Sequence, residues 1–407
     1  MASDAPAILF TGFEPSGDDH ASAVIAVLRE RYPDLRMYAW GGKRMEAAGA
    51  EIVEYTGQSA VMGIPGIGKI LEHREINKRI AAWLDANPVA VHVPVDSPAA
   101  NFPICKLAKA RGAKVVHLVA PQVWAWGKWR VNKLRRLTSF VCCLLPFEEP
   151  YFKERNVPAK FVGHPLFDEL PDLGALDAEL DGFPEPATDG GAQAPWGMKV
   201  ALMPGSRPKE IDNNFPLLIE AFRRLRRDYP RMTGVVAATR ADLEPHLREI
   251  AKRTPIAPGC EIGCVEGWPS GLEIVAEGTD AVVRWCDLAL VVSGTVTLQI
   301  ARQDKPMVIV YKSSRLMYWG FARWLLSTPW FSLPNLIAGE RVVPELIPHF
   351  GGPEALVDEA VALIERPELA DRQRAALRAV TEQFRGTHAA EGAASAIAQV
   401  AGLEASK

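Results

Sequence analysis

Short apolar runs alternate along the chain with longer stretches in which apolar residues recur every three to four positions. The first pattern suits a strand buried on both faces, the second an amphipathic helix. In the first half this predicts strands near 7–11, 35–40, 90–95, 114–119, 140–145 and 159–162, with helices at 21–32, 72–86 and 101–111 among those between them. From Leu173 to Met198 the period lapses and Gly, Pro, Ala, Asp and Glu dominate, so 173–198 reads as a linker or inserted loop. A second alternating set follows: "KVALMPGS", the amphipathic "NFPLLIEAFRRLRRDY", "TGVVAAT", a strand around 260–265, and "LALVVSG". Helices at about 354–365 and 369–400 close the chain, and no repeat of 20–50 residues is evident.

Alternation of this kind predicts parallel sheets with helices on their faces. The expected fold is α/β, with two Rossmann-like domains facing a cleft. The first spans 1–172 and the second 199–375, and a C-terminal helix, 376–407, has the option of packing back on the first. Ligands in open parallel sheets sit at the carboxyl ends of strands. That singles out the turns at 12–18, 96–101, 120–126, 204–210 and 293–299.

A length of 407 residues leaves room for two such domains. The net charge of −3 argues against a nucleic-acid binder. No apolar run approaches the ~18 residues needed to span a bilayer, and no signal-peptide pattern opens the chain. The six cysteines lack metal-type paired spacing and read as reduced thiols of a cytosolic protein.

The turns differ in chemistry. In "PGSRPKEI", Gly205 permits close backbone approach, Ser206 can cap the next helix, and Arg207 can grip phosphate oxygens; a plain capped turn is the alternative. In "SGTVTLQ", Ser293, Gly294 and Thr295 stand at another helix start, and Gln299 lies a turn further on, placed for a ribose hydroxyl. Two such turns in one domain favour a nucleotide diphosphate over two ordinary caps. In "VPVDSPAANF", Asp96 is either a general base or a helix cap. In "APQVWAWGKWRVNKLRRL", Trp124, Trp126 and Trp129 lie beside Lys128, Arg130, Lys133 and Arg136, which suits anionic headgroups or a solvated basic face over a Trp cluster. Apolar segments at 61–80 and 315–339 are either core or lipid-facing. The opening "TGFEPSGDDHAS" carries Glu14, Asp18 and Asp19, the wrong sign for a phosphate cradle. Either its carboxylates hydrogen-bond a ligand's hydroxyls, or Ser16 and Asp18 cap the helix that follows.

Taken together, "EPSGD", "GGKRMEAAG", "AVMGI", "VDSP", "PQVWAW", "LPFE", "FVGHPL", "MPGSRPKEI", "SGTVTLQ" and "SLPNLIAG" resemble the lipid-A-disaccharide synthase family, in that family's order and over nearly the whole chain. The resemblance implies an inverting glycosyltransferase of the GT-B architecture. Its substrates would be UDP-diacylglucosamine and diacylglucosamine 1-phosphate, with no metal or other cofactor. It would work at the anionic cytoplasmic face of the inner membrane as a peripheral protein, and a homodimer is allowed. It assigns Asp96 as base and Arg207 to the donor diphosphate. Asn335 falls near the nucleotide, Ser293–Thr295 in the helix-start turn, and the Trp-rich basic stretch (Trp124, Trp126, Arg130) near acceptor and membrane. This chain departs from the pattern at Phe13, at Ala21-Ser22, at Ala99-Ala100, where the second aspartate is missing, and at Gln299, where the family has Glu. The rival readings are another UDP-sugar-dependent GT-B transferase and a non-catalytic paralogue that binds UDP-sugar or membrane.

Overall fold

The structure, a computed structural model, describes residues 6–56, 67–125, 127–186, 197–261, 263–313 and 328–403. Trp126, all of "AVMGI", and the first part of the 315–339 patch lie outside the described residues.

The chain divides into two compact units, Met1–Glu169 with Phe384–Lys407, and Leu170–Gln383. The first holds a seven-stranded sheet of β1 (Ala7–Thr11), β2 (Arg36–Gly41), β3 (Glu51–Tyr55), β4 (Val91–Pro94), β5 (Lys114–Leu118), β6 (Phe140–Cys143) and β7 (Ala159–Phe161). Their order is β3-β2-β1-β4-β5-β6-β7 and every pairing is parallel. Successive side chains of a strand point to opposite faces, and β1 uses both. Ile8 and Phe10 enter one core layer with the helix Pro15–Arg31, while Ala7 and Leu9 enter another with Ile76 and Ile80. Ile76 and Ile80 of the 61–80 segment are thus core, while the side chains of 61–71 lie outside the described residues.

The second unit holds β8 (Lys199–Met203), β9 (Thr233–Ala238), a hairpin of β10 (Cys264–Val265) and β11 (Trp268–Pro269), then β12 (Leu272–Ala276), β13 (Leu288–Val292), β14 (Met307–Lys312) and β15 (Glu345–His349). Its six-stranded sheet runs β12-β9-β8-β13-β14-β15, again parallel. Val200 and Leu202 face one apolar layer, Ala201 and Met203 the other.

Three helices begin earlier than their apolar period. Pro15, Pro98 and Pro208 each open a helix, Pro15–Arg31, Pro98–Ala110 and Pro208–Asp228. A proline at the first helical position has a fitting φ and lacks an N–H that would go unpaired there. Stretches that look like turns by composition are therefore partly helical.

Two other expectations are corrected. Within 173–198, Leu173–Glu179 is a helix, capped by Asp172 and tied by Asp177 to Arg284 at 2.7 Å. The expected helix over 369–400 is two, Pro367–Glu382 and Ala389–Ala401, with Gly386 between them at φ 71°. The last helix packs on Pro15–Arg31 with Ala393, Ala394 and Ile397 in their shared core. Asp168 caps it, accepting from the Ala389 and Ala390 amides at 2.7 and 3.2 Å. This contact accounts for "FVGHPLF". Gly163 (φ 103°) leaves room for Thr387, whose Oγ1 would lie 2.5 Å from an added Cβ, and Phe167 stacks on Phe384 at 4.2 Å. All six cysteines are free.

Candidate functional site

Each sheet has one place where strand order reverses, and the expected turns sit there. In the first unit the reversal lies between β1 and β4; in the second, between β8 and β13. Outside the carboxyl ends of such strands the backbone diverges and leaves a crevice.

In the first unit the turn after β4 carries Asp96 and Ser97, with φ of 46° and 32°. Left-handed backbone costs a non-glycine residue about 1–2 kcal/mol. Asp96 does not cap the helix Pro98–Ala110; Ser97 stands at the N-cap position and makes no side-chain cap. The Ser97 hydroxyl instead donates to Glu14 Oε1 at 2.6 Å. Burial holds the Asp96 carboxyl above the usual range, with the Glu14 charge adding to the effect; a backbone hydrogen bond from Ser97 and the charge of His20 oppose it. His20, on the helix Pro15–Arg31, is held below the usual imidazole range by burial, against the pull of Asp96 and Asp19. His164 is lowered to about 4 by burial, with His20 contributing. Burial thus disfavours the charged form of both histidines. His20 was not singled out because nothing local marks it.

Asp18 is used otherwise than expected. Its carboxylate accepts from the amides of Gly42 (3.1 Å), Arg44 (3.1 Å) and Met45 (3.0 Å), so it caps a different helix, Lys43–Ala47, and not the one it belongs to. An added Cβ on Gly42 would lie 2.3 Å from Asp18 Oδ2. Ser16 is exposed, and no side chain caps its helix among the described residues. Glu14 and Asp18 both line a cavity of about 200 Å³ with Gly12, Lys43, Tyr55 and Thr56, and of the two it is Glu14 that reaches Ser97. Phe13 packs edge-on against His73 at 5.6 Å.

Trp124 is also structural. It is buried, its indole N–H donates to Glu148 Oε1 at 3.0 Å, and its ring meets Phe147 edge-on. Glu148 Oε2 accepts from the Leu144 and Leu145 amides, and burial pushes its carboxyl up to about 7. Arg130, half-buried, closes a short turn, Lys128–Arg130, in which Trp129 is 71% exposed. Lys133, exposed like Arg135 and Arg136, lies over the Phe102 ring at 4.8 Å.

In the second unit, Gly205 has φ 100°, and Glu210 Oε2 receives the Ser206 amide at 3.3 Å. An added Cβ at Gly205 would meet that same oxygen at 2.4 Å. Ser206 and Arg207 are exposed at the start of the helix Pro208–Asp228, where the macrodipole favours an anion. After β13, Ser293 is half-buried and Gly294 and Thr295 are exposed. Thr295 does not cap with its side chain; Thr297, unremarked in the sequence, ties the turn by donating its hydroxyl to Gly294 O at 2.8 Å. Gln299 sits half-buried a turn further. No added Cβ contact arises at Gly294 within 4 Å, so that turn is open.

Asn335 is corrected. It is fully buried, its amide donates to Val343 O (3.1 Å) and Glu345 Oε2 (2.8 Å), and its oxygen accepts from the Val342 and Val343 amides at 2.8 and 2.9 Å. An asparagine side chain has two donor hydrogens and two lone pairs, so none is left for a nucleotide. Glu345, not anticipated, gathers Phe331 N, Ser332 N, Ser332 Oγ and Asn335 Nδ2.

Residues 8–399 match the family described as lipid-A-disaccharide synthetase. The chain belongs to that family. The lipid-A-disaccharide synthase of Geobacter metallireducens is 32% identical over 405 residues, with 97% of each chain covered, and that of Myxococcus xanthus is 36% identical over 363 residues, with 87% of each covered. Among solved structures, the UDP complex of MnaA from S. aureus has a TM-score of 0.61 at 11% identity, covering 99% of this chain and 98% of that one. The MurG structure from Acinetobacter baumannii has a TM-score of 0.55 at 12% identity, covering 97% and 100%. At those identities the likeness is one of fold, and it places this lipid-A-disaccharide synthase family member on the GT-B architecture.

Proposed function

We propose that this protein transfers 2,3-diacylglucosamine from UDP to the 6-hydroxyl of 2,3-diacylglucosamine 1-phosphate, forming the β-1,6 lipid A disaccharide and releasing UDP. The observation that carries this reading is the family match across residues 8–399. Asp96 takes the proton of the acceptor hydroxyl as its oxygen bonds to C1 of the donor sugar. The C1–O bond to the diphosphate breaks on the opposite face, and UDP leaves with the electron pair. A half-buried base with a raised pKa is a stronger proton acceptor than a free carboxylate. Glu14 orients the turn through Ser97. Arg207 and the amides at the start of Pro208–Asp228 take up charge on the leaving diphosphate, and the turn Ser293–Thr295 with Gln299 completes the donor half. This arrangement asks for no metal.

Both substrates are lipids, so the protein works at an anionic membrane surface. No helix among the described residues is long and apolar enough to cross a membrane. Support for a peripheral contact comes from Trp129, exposed between Lys128 and Arg130. The test is an assay of the purified protein with both lipid substrates in detergent, followed by mass spectrometry. Disaccharide phosphate and UDP are expected. UDP binding without disaccharide would overturn the reading.

A further inference from the structure

The strained turn at Asp96 is held from beneath by a chain of polar groups drawn from three elements. Asn101, in the first turns of the helix Pro98–Ala110, donates its two amide hydrogens to Val95 O and Asp96 O, each at 3.0 Å. Its oxygen therefore faces Thr11 at the end of β1, whose hydroxyl donates to it at 2.7 Å. With its one hydrogen committed, the Thr11 oxygen accepts, and His92 Nε2 on β4, 2.8 Å away, supplies the proton. Each rotor and tautomer is thus fixed by the next group. All three side chains are fully buried.

A buried asparagine here does not cap its helix, and no ordinary requirement of a parallel sheet calls for threonine and histidine beneath it. What the chain does is brace the carbonyls of Val95 and Asp96, so that the left-handed pair Asp96–Ser97 persists. We propose that His92, Thr11 and Asn101 form a positioning device for Asp96, setting the direction in which its carboxylate leaves the turn. This rests on the reading of Asp96 as the base. None of the three touches substrate. Burial lowers His92 to about 3, so it stays neutral and the proton order of the chain holds through the working pH range.

The test compares Thr11→Val, Thr11→Ser and Asn101→Asp in the two-lipid assay, with Asp96→Asn alongside. Thr11→Val keeps the shape and removes the hydroxyl; Asn101→Asp keeps the shape and turns an acceptor toward two carbonyls. Both are expected to lower kcat about 10²-fold, the scale of an ångström-sized misplacement. KM for both substrates should stay within about threefold, because ground-state binding is untouched. Thr11→Ser, which restores the hydroxyl and leaves a methyl-sized gap, should recover kcat to within about threefold of wild type. Circular dichroism confirms that each variant is folded. Wild-type kcat in both Thr11→Val and Asn101→Asp overturns the proposal, and so does equal loss in Thr11→Val and Thr11→Ser. Full turnover by Asp96→Asn overturns the base reading and this proposal with it. An inactive Asp96→Asn beside an unimpaired Thr11→Val overturns the positioning role alone.

Discussion

The hydroxyl of Ser97 donates to Glu14 Oε1 at 2.6 Å, joining the turn after β4 to the turn after β1 across 83 positions of sequence. The pair fixes the shape of the turn and sets a second carboxylate beside Asp96, whose pKa it helps to raise. If Asp96 acts as the proposed base it must be ionised to work, so the rate should climb as pH rises through a value above that of an ordinary aspartate. Glu14→Gln removes the neighbouring charge and should move this acid limb to lower pH. An acid limb that stays in place, measured as kcat/KM against pH, would show that Glu14 does not act on the base through charge.

Arg207 is an exposed cation at the start of the long helix after Gly205, with Lys209 also exposed beside it. Arg207→Ala should weaken UDP binding by about 1.5–3 kcal/mol, the usual worth of a charge-assisted hydrogen bond. Calorimetric titration with UDP checks this, and an unchanged Kd would remove Arg207 from the diphosphate clamp.

Two glycines of the matched motifs should respond oppositely to alanine. Gly163 has φ 103° and no room beside Thr387, so Gly163→Ala should cost about 2 kcal/mol or more and loosen the C-terminal helix. At Gly294 an added Cβ meets nothing within 4 Å, so Gly294→Ala should leave stability within about 0.5 kcal/mol. Denaturant melts of both variants decide it, and equal losses would contradict the packing described.

Glu148 is buried and takes three hydrogen bonds, from Trp124, Leu144 and Leu145. Removing it in Glu148→Ala strands three buried donors and should destabilise the fold by about 3 kcal/mol or more. Its folded pKa, about 7, lies above the ordinary 4.5. Between those values the folded state binds more protons than the unfolded state, so stability falls as pH rises from about 4.5 to 7. The permanently neutral Glu148→Gln should escape this decline. Parallel urea melts at pH 5 and pH 8 test it; a stability gap between wild type and Gln that does not change with pH would mean the carboxyl is already ionised at pH 5.

Trp129→Ala should reduce binding to vesicles containing anionic lipid while leaving activity on detergent-dispersed substrates near wild type. Unchanged vesicle sedimentation would move the membrane contact elsewhere.

The apolar period located six strands of the first sheet and β8, β9 and β13 of the second, and indicated that the sheets are parallel, because a strand buried on both faces must be apolar at nearly every position. It did not mark β3, β12, β14 or β15, and the strand expected at 260–265 is only the short hairpin arm β10. It also located the site turns at 96–97, 204–207 and 293–295, since glycine, serine and acids that break an apolar run mark strand ends. It could not say what those polar side chains bond to. Asp18 and Asn335 look like ligands by residue type, yet backbone amides from 24 and 7 positions away consume their oxygens. Thr11, His92 and Asn101 are unremarkable in the sequence, and His92 and Asn101 lie 81 and 90 positions from Thr11. They meet because β1 and β4 are neighbours in the sheet, a consequence of strand order. The residue types, with their chemistry and period, were fixed by the sequence alone. Which donor found which acceptor, and so which polar residues stayed free to act, was decided only when the chain packed, because a buried polar group must be paired and its partner is whatever tertiary structure brings within reach.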